Sequence, residues 1–102
     1  MTDYAGVVQV VANVFVKPGD EEKFKAAAAR IVGPTRLEDG NVSYELNQSL
    51  TNPSEFVFLE TWGSKTALNL HLATEHMAAF FDVVKPLFSA PPVINTFRRV
   101  KL

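Results

Sequence analysis

The chain has 102 residues, 47% of them hydrophobic and 21% charged, which describes one ordinary globular domain with room for a single core. Ten basic residues against eleven acidic ones leave a net charge of -1, too weak a field to draw in nucleic acid or an anionic membrane surface. No apolar run approaches the roughly 18 residues of a membrane span, and the absence of cysteine removes disulfides, thiolate zinc sites and a thiol nucleophile.

The opening MTDYAG lacks the basic and apolar regions of a secretory signal, so the cytoplasm is the expected compartment. Residues 7–16, VVQVVANVFV, are rich in β-branched side chains and unbroken by Gly or Pro, which predicts a strand. Val8, Val10, Ala12, Val14 and Val16 make one wholly apolar face. Gln9, Val11, Asn13 and Phe15 make a mixed one, on which the amide of Asn13 needs partners; a bound substrate is one candidate. KPGDEE then ends the strand. Gly19 or Asp20 is placed to cap a helix with an acidic first turn, whose buried stripe is Phe24, Ala28 and Ile31. Pro34 either stops this helix near Val32 or kinks it before one more turn, and EDGN reverses the chain.

Residues 42–49, VSYELNQS, form a second predicted strand, with Val42, Tyr44 and Leu46 on one side. LTNPSE is too short for a helix, so the third strand, residues 55–62, pairs antiparallel with the second. Ser64 caps a short helix carrying Leu68, His71 and Leu72. Thr74 caps a longer one carrying Met77, Phe80, Phe81, Val84 and Phe88, weakened near its end by Pro86. After APP, residues 93–100 read as a last strand, and the cluster Arg98, Arg99 and Lys101 at its end fits edge protection better than nucleic-acid binding.

The element order, strand–helix–strand–strand–helix–strand, defines a ferredoxin-like α+β fold: a four-stranded antiparallel sheet with its helices on one face. Phe56, Phe58, Glu60 and Trp62 share one side of the third strand and Val57 and Leu59 the other. Leaving three rings on a bare sheet would forgo roughly 2 kcal/mol of burial for each. The expectation is therefore a homodimer in which the ring-bearing flank packs against a second copy; the alternative cover is the chain's own C-terminal tail.

EDGNVSYEL, FVFLETW and the following LNLHLATEH carry a family resemblance. They are similar to the glycine-then-Y-E-L strand entry, the E-x-W strand and the H-x4-H helix of the antibiotic biosynthesis monooxygenase group, which includes small quinol monooxygenase-like proteins. The resemblance spans roughly Val10 to Phe81. It implies a dimeric α/β barrel and oxidation of a small aromatic or quinol substrate by dioxygen without metal or organic cofactor. The haem-degrading relatives carry a tryptophan where His71 stands and a histidine near Phe81, so the resemblance does not extend to haem.

Several residues are candidates for such a site. His71 is the candidate base and Glu60 its orienting acid, a desolvated carboxylate with a raised pKa. Trp62 could offer its indole N–H to a substrate oxygen, Phe58 a wall, and Asn13 a hydrogen bond. His76 sits at the positive end of a helix dipole, which favours its neutral form. The two histidines, five residues apart, lack the spacing of a metal pair on one helical face, so no metal is expected. A non-catalytic metabolite-binding module and an isomerase using the same histidine remain as alternatives on this fold.

Overall fold

The computed structural model describes residues 6–102; most of the stretch read for a signal, residues 1–5, lies outside them. The chain runs β1 (Val8–Val16), α1 (Glu21–Arg36), β2 (Asn41–Gln48), β3 (Glu55–Trp62), α2 (Lys65–Leu72), α3 (Glu75–Val84), a short 3-10 turn (Lys85–Leu87) and β4 (Phe88–Phe97). The four strands form one antiparallel sheet in the order β2-β3-β1-β4. This is the ferredoxin-like arrangement.

The wholly apolar face of β1 decides which side of the sheet the helices cover. Val10, Ala12 and Val14 stand opposite Glu60, Phe58 and Phe56 in the β1–β3 register, so one periodicity places the valines and the rings on the same side. That side is sealed by Phe24, Ala27, Ala28 and Ile31 of α1 together with Met77, Phe80 and Val84 of α3. Phe24 meets Phe56 with ring centroids 4.8 Å apart, and Phe80 meets Phe58 edge-on at 6.2 Å. The ring-bearing flank of β3 is therefore hidden by the protein's own helices, which corrects the expectation that a second copy hides it. What stays uncovered is the opposite face: Leu59 is 41% exposed and Val93 48%.

Two boundaries differ from the sequence reading for physical reasons. Helix α1 runs through Pro34 to Arg36, although the proline forgoes the one bond that an N–H at that position would make to the preceding turn. The Arg36 guanidinium then donates twice to the Tyr44 carbonyl, at 2.8 and 3.1 Å, tying the helix end to β2. Strand β4 starts at Phe88, not at residue 93, and takes Pro91 and Pro92 into its length. Prolines are tolerated there because β4 is an edge strand, and its pairing with β1 is irregular at that end. Phe88 therefore belongs to the sheet and not to α3.

The turn after α1 is pinned by a glycine that nothing else could replace without strain. Gly40 has φ +84°, a Cβ built on it would lie 2.5 Å from the Ala67 Cβ, and its carbonyl accepts the Gly63 N–H at 2.7 Å. The turn carrying Glu38 is thus pressed against the first turn of α2.

Candidate functional site

Both caps read from the sequence are present and together aim the site. Ser64 Oγ accepts the Ala67 N–H at 3.0 Å and starts α2; Thr74 Oγ1 accepts the Met77 N–H at 3.3 Å and starts α3. The Thr74 hydroxyl also donates to the His71 carbonyl at 2.8 Å, so one side chain both ends α2 and begins α3. His71 is thereby held on the buried side of α2, packed on the Trp62 indole with ring centroids 4.6 Å apart and against the Tyr44 ring at 5.5 Å.

The carboxylate beside His71 is Glu38, a residue the sequence reading assigned only to a turn. Its Oε2 lies 2.8 Å from His71 Nδ1 and 2.7 Å from His76 Nε2, so a single oxygen holds both rings. The spacing of the histidines, which on one continuous helix would part them, instead spans the junction of α2 and α3, and the rings converge to 6.2 Å. Thr35 Oγ1, fully buried one turn before Glu38, sits 3.4 Å from His76 Nε2. Because α1 continues past Pro34, Thr35 and Glu38 reach this cluster.

Glu60 has a different partner. Its Oε1 accepts the Trp62 indole N–H at 2.9 Å, which occupies the donor that Trp62 could have offered to a ligand. Burial pushes the Glu60 carboxyl above its ordinary range; the Trp62 bond works against this and the nearby Glu38 charge adds to it. Burial lowers the His71 pKa, opposed by Glu38, so the ring is neutral near pH 7. The Tyr44 phenol is driven up, first by burial and then by the Glu60 and Glu38 charges. It stays protonated.

A cavity of about 130 Å³ opens between the sheet and α2–α3, walled by Phe58, Tyr44, Phe80, Met77 and Ile94 with Glu60 and His71 among its polar groups. An apolar hollow of roughly 150 Å³ accommodates one benzene ring, so this one has room for a single aromatic ring. Among the described residues none bonds His71 Nε2, while every sealed side-chain nitrogen and oxygen has a partner. That nitrogen must abut open space, and the space that His71 lines is the cavity.

Of the six residues singled out in the sequence, His71, Glu60 and Phe58 line this cavity. Trp62 stands behind it, in contact with His71. His76 lines a separate hollow between α1 and α3, with Arg30 and Ile31, and touches the site through Glu38. Asn13 is on the opposite face of the sheet, its amide 3.5 Å from Glu55 Oε2, so a substrate in the cavity does not meet it. Glu38 could be found only from the fold, since nothing in EDGN marks a carboxylate that will bridge two helices.

The chain is thus an α+β protein with a ferredoxin-like sheet, a cavity between sheet and helices, and a carboxylate-held histidine at the cavity wall. The comparisons narrow that class. Residues 7–83 match the family described as antibiotic biosynthesis monooxygenase, and the chain belongs to it. It is 34% identical to "Putative monooxygenase YcnE" of Bacillus subtilis over 85 residues, covering 83% of this chain and 90% of that one. It is 30% identical over 91 residues to the uncharacterized protein sll1783 of Synechocystis, covering 89% of this chain but only 62% of that longer relative. The structure of Rv0793 from Mycobacterium tuberculosis superimposes with a TM-score of 0.89 at 27% identity, covering 95% of this chain and 98% of that one.

Proposed function

We propose that the protein oxidises a small dihydroxyaromatic, a quinol or catechol, with dioxygen, using His71 as the base. The observation that carries this reading is the setting of His71: a neutral, buried imidazole whose Nδ1 is held by Glu38 and whose ring borders a cavity sized for one aromatic ring. With Nδ1–H donated to Glu38, the lone pair is on Nε2, the atom that faces the ligand.

In this mechanism His71 Nε2 takes a phenolic proton, worth roughly 10²–10⁴ in rate for a positioned base. The electron-rich anion passes electrons to dioxygen and a ring carbon forms a C–O bond. The O–O bond then breaks: one oxygen atom stays in the product as a carbonyl, and the other leaves as water with two hydrogens from the substrate. Glu38 stabilises the imidazolium formed in the first step, as a carboxylate on Nδ1 does in hydrolase triads. Phe58 and Phe80 supply the apolar wall that strips water from the anion. In its protonated form, which burial favours, Glu60 can donate a hydrogen bond to a developing oxyanion. No bound cofactor is called on, because the substrate anion supplies the electrons.

The reading includes a homodimer. Val11, Val57, Leu59, Val93 and Phe97 lie on the sheet face without helices, and a second copy packed there would remove that apolar area from water. Asn13, on the same face, would then face the partner and not the ligand.

Oxygen uptake by metal-free protein with a panel of hydroquinones and catechols tests the proposal. The expected result is turnover above autoxidation that falls at least about 100-fold in His71→Ala. No uptake with any of them, or uptake untouched by the substitution, overturns it; saturable ligand binding without uptake would make the protein a binding module instead.

A further inference from the structure

The geometry points to Glu38, His71 and His76 as a binding site for a first-row divalent transition-metal ion. His71 Nδ1 and His76 Nε2 both aim at Glu38 Oε2, from 2.8 and 2.7 Å, and the three ligand atoms lie within 4.8 Å of one another. Two imidazole nitrogens directed at one point, with a carboxylate at that point, are the donor set of a two-histidine, one-carboxylate centre. The donors come from three places: the turn after α1, the end of α2 and the start of α3. Tertiary packing therefore preforms the chelate, and no loop must close to build it.

The fit is close but not complete, and the difference says what must move. Ligand bonds of about 2.0–2.2 Å set neighbouring ligand atoms roughly 3–3.5 Å apart. The two oxygen–nitrogen separations are already near this; the nitrogens must draw together, and the Glu38 oxygen must swing off the point where they converge. His71 is fixed, its side chain 2% exposed, whereas that of His76 is 25% exposed on the first turn of α3 and can follow. The Thr35 hydroxyl, 3.4 Å from His76 Nε2, adds a neutral oxygen on the buried side. Glu38 with two neutral imidazoles carries one negative charge against the ion's two positive ones. The ion takes the place of the two imidazole protons that now point at the carboxylate, and each proton moves to the other nitrogen of its ring, so both rings stay neutral.

A consequence links this site to the proposed reaction, and only this consequence rests on that proposal. An ion on Nδ1 moves the single ring proton of His71 to Nε2, so the atom facing the cavity becomes a donor and no longer a base. Metal loading would then suppress turnover.

The test uses chelator-treated full-length protein with no substrate present, titrated with Co²⁺ by visible absorption and with Zn²⁺ by calorimetry. The expected result is saturation at one equivalent per chain. His76→Gln and Glu38→Gln, each checked for a native melting transition first, should weaken binding by no less than the roughly 10–100-fold that even outer-sphere groups cost. No saturable binding up to about 1 mM, an affinity of merely 4 kcal/mol, overturns the inference. So does binding that both variants leave intact, which would place the ion elsewhere. Failure here leaves the oxygenase reading standing, and absence of turnover leaves this site standing, because the titration involves no chemistry on a substrate.

Discussion

Phe58 and Leu59 are neighbours in β3, yet one is 4% exposed and the other 41%. Phe58 looks into the layer between sheet and helices, with Phe24, Tyr44 and Phe80 around it. Leu59 looks the other way, across from Val11 and Glu45, onto a face that no helix among the described residues covers. The first face holds the core, the cavity and His71. The second holds half-buried apolar side chains interspersed with Gln9, Asn13, Thr61 and Asn95, a composition suited to a partner and not to chemistry. A strand of eight residues thus separates the core and the cavity on one side from the apolar face proposed for association on the other.

The largest expected effect tests that division directly. Phe58→Ala should lower stability by about 3–5 kcal/mol, since it removes a ring from a packed core. Leu59→Lys should leave the protomer's own stability within about 1 kcal/mol while shifting the mass in light scattering from dimer to monomer. A denaturant series and a scattering measurement on both variants decide it. Equal destabilisation by the two would erase the distinction between the faces, and an unchanged mass for Leu59→Lys would remove the outer face as the dimer contact.

Gly40→Ala comes next, and it sharpens the comparison from inside the helical layer. The positive φ and the contact with Ala67 should together cost about 2–4 kcal/mol. Because the same turn carries Glu38, the variant should also disturb His71 more than its distance in sequence suggests. Melting curves give the first effect and the His71 ring resonances the second.

Much of this was legible before any coordinates. The switch of periodicity from 2 to 3.6 located every element, and Ser64 and Thr74 announced their helices because a hydroxyl at a cap has a mechanism. Periodicity groups Phe56, Phe58, Glu60 and Trp62 on one side of β3, but it does not say which side the helices choose. The wholly apolar face of β1 held that answer, once the register set Val10 opposite Glu60. The start of β4 was hidden because proline reads as a break unless the strand is known to lie at an edge. The site was half legible. His71, Glu60 and Phe58 could be picked out as residues in unusual company, whereas Glu38 looks like any turn acid until α1 is carried past Pro34.

A smaller effect concerns pH. The His71 pKa is lowered from its ordinary 6.5 by burial, so the unfolded chain binds the proton more readily than the folded one. The stability that His71 contributes is therefore complete above about pH 6.5 and is lost as pH falls toward its folded value. Glu38 bonds its Nδ1 and, through the same oxygen, His76, while Tyr44 and Trp62 are packed against its ring. Melting temperatures followed downward from pH 7.5, about one unit above that ordinary value, should show the decline in wild type and a flatter profile in His71→Asn. A decline of equal slope in both would assign it to another group.

The smallest effect is at Glu60, and its sign is the informative part. Its pKa is raised above the ordinary 4.5, chiefly by burial, so keeping it ionised in the folded protein is unfavourable and its contribution to stability diminishes as pH rises past about that value. Glu60→Gln removes the charge but keeps an oxygen to accept the Trp62 N–H. At neutral pH it should be neutral to slightly stabilising, by up to about 1 kcal/mol. Glu60→Leu, nearly the same in size, removes the acceptor too and leaves a buried indole donor without a partner, at a cost of about 1–3 kcal/mol. If glutamine were the more damaging of the two, Glu60 would have to act through its charge, and the orienting role at His71 that the structure gives to Glu38 would need to be shared.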